Sequence, residues 1–221
     1  MPWEKVNKEK IILSVLESAF VNSTGATSLA DISEKLGIKK ASLYNHYSSR
    51  QEMIEDTIKF CANHLKKLTF IPLNIKDTVS KYNATVVFKA IVHRWVKLFE
   101  TEPLILIYSF IESEKYFNNE VLKIKLEEKN KILEQTKIVL RTLNEMKKIT
   151  FIEGEQLNLK AQIFSETVNS ILDNLILEKK KFIRENPKSG DGELFNLPSE
   201  SNSNFSNIDK IIESFCNSLK D

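Results

Sequence analysis

The chain is poor in the residues that turn, bridge or anchor a protein. Among its 221 residues there are five glycines and five prolines. Sheets and hairpins lean on both for their turns, so their scarcity points toward helices. Only two cysteines occur, Cys61 and Cys216. They form neither a disulfide framework nor a metal-type pair, which fits a reducing cytosol. The most apolar stretch, Leu104 to Ile111, is far too short to span a bilayer. No basic stretch backed by an apolar run stands near Met1, so no signal peptide is expected. An excess of one charge is lacking too, with 32 basic and 30 acidic residues and a net charge of +2. No overall field recommends nucleic acid or membrane, and any anion-binding surface has to be local. Together these absences predict a soluble, cytoplasmic, α-helical protein that makes no use of a membrane. The 42% hydrophobic content is enough for a sizeable core.

What is present is helical periodicity. Ile11, Ile12, Val15, Leu16, Ala19 and Phe20 recur as pairs four apart, which predicts a helix from about Glu4 to Asn22, closed by Gly25. Ser28-Leu29-Ala30-Asp31 is a short capping box that opens a second helix, with Ile32 and Leu36 inward and Gly37 at its exit. A short third helix is expected over Lys40 to Tyr47, with Leu43 and Tyr47 facing in. A second box, Ser49-Arg50-Gln51-Glu52, opens a fourth, which Pro72 stops. Longer helices follow. They are expected over about Val79 to Phe99, from Pro103 to Ser113, and from an Asn119 cap through Glu120 to Met146. Leu157, Ala161, Phe164, Val168, Ile171 and Leu175 mark another, widened by Leu172 and Ile176 and rich in Lys and Arg toward its end. Residues 185–206 gather Pro, Gly, Ser and Asn and are expected to be a loop or partly disordered excursion. A final helix is expected over Asn207 to Leu219.

Two short helices joined across Gly37 have helix-turn-helix geometry, in which the second helix can enter a major groove. Lys39 and Lys40 sharpen this reading. They stand at the N-terminus of the third helix, where cations oppose the helix dipole by roughly 0.3–1 kcal/mol each. Lysine is also a poor N-cap where Ser or Asp would stabilise by about 1 kcal/mol. Local rules broken without structural gain point to function. A phosphate backbone would reward both charges through counterion release. Ser42, Tyr44, Asn45 and His46 continue the surface, since Asn can pair with adenine and Tyr, His and Ser are ordinary phosphate partners. Arg50, opening the fourth helix, could reach the backbone beside it. Taken alone, Lys39 and Lys40 would read as a solvated surface pair, and Tyr44 as partial core packing.

The run from Ser28 to Arg50 contains Leu43-Tyr44-Asn45-His46-Tyr47, an Leu-Tyr-x-His-aromatic segment followed by a basic residue at the next helix. It resembles the signature of the TetR/AcrR family of bacterial regulators over about residues 5–60. The resemblance implies an all-α dimeric repressor. Residues 1–60 would form a three-helix helix-turn-helix DNA-binding domain. Residues 61–221 would form a larger helical domain for effector binding and dimerisation. By position, Lys40, Ala41, Ser42 and Tyr44 match family contacts to bases or phosphates. Thr27, Tyr44, His46 and Arg50 match contacts to the backbone, while Asn45 falls at a variable position. With Ser28 and Lys39, these residues make up the expected DNA-contacting set. Two departures stand out. Gly25-Ala26-Thr27-Ser28 is shorter than the family's usual approach to its second helix, and Lys39 stands where Ser is common.

The resemblance further implies a near-palindromic operator, a homodimer and an unidentified small-molecule effector. Trp95, Phe99, Tyr108 and Phe110, with Phe117, are either core or the apolar wall of an effector pocket. The 157–175 seam and the final helix either pack within one subunit or form a four-helix dimer interface. Cys61, His64 and His93 could be imagined as a metal or redox site. A free Cys is more often a small buried hydrophobe, and no second metal-type pair exists, so no metal or cofactor is expected. No phosphate-binding glycine loop or nucleophile–base set is visible, so an enzyme is not expected. The alternative function is a helical ligand-binding or interaction protein without specific DNA binding.

Overall fold

The computed structural model of the chain describes residues 6–185 and 201–220, with side chains in the final helix described from Phe205 onward. These residues form helices α1 (Lys8–Asn22), α2 (Leu29–Lys35), α3 (Lys40–Leu43), α4 (Arg50–Lys67), α5 (Ile75–Lys81), α6 (Ala84–Phe99), α7 (Leu104–Glu114), α8 (Asn119–Glu145), α9 (Gly154–Glu185) and α10 (Ser201–Asn217). No strand occurs among the described residues. No helix among them is long and apolar enough to cross a membrane. The all-α expectation holds.

Several helix ends differ from expectation for local reasons. α1 ends at Ser23, which takes the positive φ of 78°, rather than at Gly25. The stretch expected as one helix over 79–99 is two helices. Asn83 adopts extended backbone and its side chain accepts the Val86 N–H at 3.0 Å, starting α6 afresh after α5. α8 is capped by Asn118 rather than Asn119, since the Asn118 side chain accepts the N–H groups of Glu120 and Val121. α10 begins six residues before the expected Asn207. Of the excursion expected over 185–206, residues 186–200 lie outside the described part.

By packing, the chain falls into two compact units. Unit 1 comprises Met1–Leu68 with Glu102–Glu128; unit 2 comprises Thr69–Thr101 with Lys129–Asp221. In unit 1, α1 packs against α2, α4 and α7, and α2 against α3. Its core includes Ile11, Val15, Leu16, Ile32, Leu43, Met53, Ile58 and Cys61. α7 and the first turns of α8 enclose a charged cluster. The buried Lys125 Nζ lies 2.8 Å from Glu112 and 2.8 Å from Glu128, and donates to the Tyr108 hydroxyl at 3.2 Å. Lys115 pairs with Glu112 from the other side. Burial works against the Glu112 carboxylate, but Lys125 and Lys115 hold its pKa below the ordinary range.

Unit 2 is built on α6, against which α5, α9 and α10 pack. Phe88, Phe164 and Phe215 meet at ring-centroid distances of 4.5–5.4 Å, joining α6, α9 and α10. Aromatic groups in such tilted and edge-on arrangements gain beyond their area burial. α8 ends with Lys147 in the left-handed region at φ 53°. The N–H of Lys147 bonds to Asn144 O and that of Lys148 to Leu143 O, each at 2.9 Å. That bond pair is the Schellman closure, usually made by glycine. Asn144 then ties down Ile152, and Thr150 reaches the carbonyls of Leu219 and Lys220 beyond α10.

The α9 seam settles one open alternative. Leu157, Ala161, Phe164, Val168, Ile171, Leu172, Leu175 and Ile176 are all buried by the chain's own residues. The seam is therefore intramolecular core, because α6 and α10 cover it. A different stripe of unit 2 remains outward, with Leu159, Ile163 and Leu177 on α9 and Ile211 on α10 all exposed.

Candidate nucleic-acid interface

The α2–α3 hairpin is built by matched end closures. The Ser28 hydroxyl accepts the Asp31 N–H at 3.2 Å, and the Asp31 carboxylate accepts the Ser28 N–H at 2.8 Å. Those two bonds hold the Asp31 carboxyl below its usual pKa. At the other end Gly37 has φ 63° and its N–H bonds to Glu34 O at 3.0 Å. The Ile38 N–H reaches back to Ser33 O at 3.0 Å. This is the full Schellman pair, and the left-handed residue it needs is the glycine singled out by sequence.

α3 is shorter than expected, four residues rather than eight. Beyond Leu43 the chain tightens. The N–H groups of Asn45 and His46 bond three residues back, to Ser42 and Leu43, and that of Tyr47 also ends on Leu43 O. Leu43 and Tyr47 face the core as predicted. Burial first, then the carboxylates of Asp56 and Glu52, push the Tyr47 phenol up to about 12. The Lys8 ammonium lies 4.6 Å from the centre of the same ring. α4 opens with the Ser49 hydroxyl accepting the Glu52 N–H at 3.1 Å. The return contact of this box is displaced by one residue, because Glu52 accepts from Ser48 N and Oγ instead of Ser49 N.

The outward surface is set by what is left. Lys39 provides no cap to α3, and Lys39, Lys40, Ala41, Tyr44 and Asn45 are exposed, with Ser42 and His46 half-buried beside them. Lys39 and Lys40 have no hydrogen-bond or ion-pair partner among the described residues. Nearby cations are committed: Lys35 to Glu17 at 2.8 Å and Lys8 to Asp56 at 3.4 Å. The two lysines singled out by sequence are thus uncommitted positive charges beside the hairpin among the described residues.

Two expected contact residues sit differently. Thr27 is 2% exposed and donates its hydroxyl to Ser23 O at 2.8 Å. Contact with DNA from its side chain would require that bond to be given up. Arg50 turns back onto the α1–α2 loop, with Nη2 donating to Thr24 O at 2.5 Å and Nε to Thr27 O at 3.4 Å. Its guanidinium braces α4 against the loop that leads into α2. This brace spans more than twenty residues, and no local pattern reveals it.

The expected effector residues are buried but divided. Trp95 and Phe99 lie in unit 2, 5.0 Å apart between ring centroids, while Tyr108 and Phe110 lie in unit 1. The exposed Phe117 is neither core nor pocket wall. Cys61 is buried, its thiol pushed up by burial, and His64 Nδ1 sits 3.0 Å from Phe60 O. His93 belongs to unit 2, where Nε2 lies 2.7 Å from Asp209 Oδ1. The three are not brought together as one site.

The motif's surroundings match a known family model. The model described as bacterial regulatory proteins, tetR family, covers residues 19–57. A stretch of 67 residues is 33% identical to the biofilm operon icaADBC HTH-type negative transcriptional regulator IcaR of Staphylococcus aureus strain Newman. It covers 30% of this chain and 36% of that protein. The likeness to the TetR family is carried by this N-terminal stretch. The matched stretch spans about a third of the length of its curated relatives. Over the whole chain the likeness is one of fold. A TetR-family regulator structure from Mesorhizobium loti superposes with TM-score 0.57 at 15% identity, covering 94% of each chain. A structure of SmeT in complex with triclosan gives TM-score 0.50 at 16% identity, covering 85% of this chain and 84% of that one. SmeT comes from Stenotrophomonas maltophilia. In this chain a helix-turn-helix matched by the tetR-family model is followed by a larger helical remainder.

Proposed function

We propose that the protein is a sequence-specific DNA-binding transcriptional regulator, a cytoplasmic repressor released from a near-palindromic operator by a small-molecule effector. The observation that carries this reading is the outward face of the 39–46 segment. Two uncommitted lysines flank a rigidly closed hairpin that presents Ala41, Tyr44 and Asn45 to the outside. In this reading Lys39, Lys40, Ser42, Tyr44 and His46 meet phosphates, and Ala41 and Asn45 meet base edges in the major groove. Ser28 holds the start of α2, while Thr27 and Arg50 support the surface from behind. Residues 1–60 are the DNA-binding domain, and 61–221 serve effector binding and dimerisation. The name of IcaR as a negative regulator favours repression, and the triclosan complex of SmeT favours a small-molecule effector.

The dimer would form through the outward stripe of α9 and α10, Leu159, Ile163, Leu177 and Ile211, rather than through the seam expected from sequence. Exposed apolar residues recurring along one helical face mark interaction surfaces. A two-fold pairing of this stripe would give the protein two reading heads, as a near-palindromic operator requires. In unit 2 the buried Trp95 indole Nε1 lacks a hydrogen-bond partner. An effector beside Trp95 and Phe99 would therefore carry an acceptor. Release from DNA needs no chemical step, so no catalytic role is assigned. The test is selection of duplexes from a random-sequence pool, followed by gel shift. A two-fold-related consensus bound by a dimer is expected. If no sequence is enriched by a confirmed dimer, the reading fails.

A further inference from the structure

The polar side chains around the reading segment are largely engaged with one another. Ser28 and Asp31 close α2 between them, and the Thr27 hydroxyl donates to Ser23 O. Lys35 pairs with Glu17, Gln51 donates to Glu55, and Glu52 accepts from Ser48. Arg50 is the only arginine before Arg94 in the chain, and its guanidinium donates to the carbonyls of Thr24 and Thr27. Arginine bound to O6 and N7 of guanine is the commonest specific contact in a major groove. The side chain best suited to guanine is therefore held on the α1–α2 loop rather than offered to a groove.

What the segment does offer is of another kind. Ala41 and Asn45 are exposed and four residues apart, while Leu43 and Tyr47 are buried on the opposite side. The Asn45 side chain has no hydrogen-bond partner among the described residues. Its amide can therefore turn a donor and an acceptor toward one base. Adenine shows that combination in the major groove, with a donor at N6 and an acceptor at N7. Guanine shows two acceptors and cytosine one donor, so neither engages both ends of the amide. The Ala41 methyl has no polar atom and suits the C5 methyl of thymine. Residues four apart on a helix have Cβ atoms about 5–6 Å apart, and base pairs rise about 3.4 Å. That distance covers one or two base steps.

We propose that Ala41 and Asn45 are the specificity-determining pair, and that each operator half-site carries two A·T base pairs within about three positions, one met at its thymine methyl and the other at its adenine edge. The proposal rests on the DNA-reading role proposed above and adds the class of sequence that this role selects. Lys39 and Lys40 supply affinity rather than choice of base, because the phosphates they meet carry no sequence information. All of these groups belong to unit 1.

The test uses the full chain and a duplex that the wild type has selected from a random-sequence pool. Each thymine is replaced in turn by uracil, which removes only the C5 methyl. Each adenine is replaced by its analogue with carbon at N7, which removes only that acceptor. Affinities are measured for wild type, Ala41→Gly and Asn45→Ala at one salt concentration. In wild type, one uracil per half-site should weaken binding about threefold to fourfold. One altered adenine, within about two steps of it, should weaken binding at least about fivefold. A41G should lose the first sensitivity alone, and N45A the second alone. Each sensitivity compares two duplexes on one protein, so a loss of stability in a variant does not imitate the result, and the wild-type scan stands without the variants. The proposal is overturned if the fixed positions of the selected sequence are G·C pairs, or if either sensitivity survives the variant assigned to it. A fixed guanine whose preference disappears in Lys39→Ala or Lys40→Ala overturns it as well. A wild type that selects no sequence removes the DNA-reading role itself and the proposal with it, an outcome distinct from a wild type that selects a G·C-rich sequence.

Discussion

The Arg50 guanidinium donates to the Thr24 carbonyl at 2.5 Å, tying the first turn of α4 to the loop that precedes α2. In the proposed regulator this makes Arg50 a brace, whereas Lys40 is an uncommitted charge. The two should therefore fail differently. Lys40→Ala should weaken DNA binding and reduce the slope of log affinity against log salt by about one. Arg50→Ala should weaken binding while leaving that slope nearly unchanged, and should lower stability by about 1–2 kcal/mol. Fluorescence anisotropy across a salt series, with thermal melts, separates the two. Equal slope losses would make Arg50 a phosphate contact after all.

Two glycines near the motif should respond in opposite directions. Gly37 holds φ 63° and closes α2, whereas Gly25 lies outside the left-handed region; an added Cβ would meet nothing within 4 Å at either. Gly37→Ala should then cost about 1–2 kcal/mol through backbone conformation alone. Gly25→Ala should be neutral or gain up to about 1 kcal/mol by restricting the unfolded chain. Denaturant melts of the two variants check this, and equal destabilisation would count against the conformational explanation.

Lys147 offers a gain. It occupies the left-handed position that closes α8, is exposed, and makes its closing bonds through the backbone. Lys147→Gly keeps those bonds and should stabilise by about 1 kcal/mol, because glycine reaches this backbone region without a Cβ penalty. A lower melting temperature would show that the lysine side chain contributes something the backbone does not.

The charged cluster of unit 1 should govern acid stability. Glu112 has its pKa depressed in the folded state by Lys125 and Lys115, against the opposing effect of burial. A depressed carboxyl contributes stability that is fully present above its unfolded value, about 4.3, and is lost as pH falls through the folded value. Lys125→Met should cost about 3–5 kcal/mol near neutrality, because the Glu112 and Glu128 carboxylates lose the buried cation between them. Protonation neutralises those carboxylates, so the deficit relative to wild type should shrink as pH falls toward 4. A deficit independent of pH would indicate lost packing instead.

The outward stripe of unit 2 can be tested by charge. Ile163→Arg should convert a dimer into monomers by light scattering without lowering the monomer's helix content, since Ile163 is 49% exposed in the single chain. A persistent dimer would move the interface elsewhere.

Sequence reading succeeded where a structural cause lies within a few residues. The Ser28–Asp31 box, the Gly37 closure and the inward Leu43 and Tyr47 are all local relations, and each stands where periodicity put it. It failed where the cause is distant or is a choice between near-equals. Asn118 and Asn119 are both capable caps, and only the backbone path decides between them. The apolar period of α9 identifies a face to be covered but not what covers it, so an intramolecular seam read equally well as an interface. The bonds of Arg50 to Thr24 and Thr27, and those of Arg94 and Gln135 to the backbone of residues 69–71, join groups more than twenty residues apart, with no periodic trace in the chain.

Between Lys40 and His46 only Leu43 is fully buried. The remaining six positions can change identity with little effect on the hairpin, whose closures lie outside them at Ser28, Gly37 and Ser49. Mutation can therefore explore new base preferences while the melting temperature stays put. Duplicated copies of such a gene could drift onto different promoters long before their folds diverge.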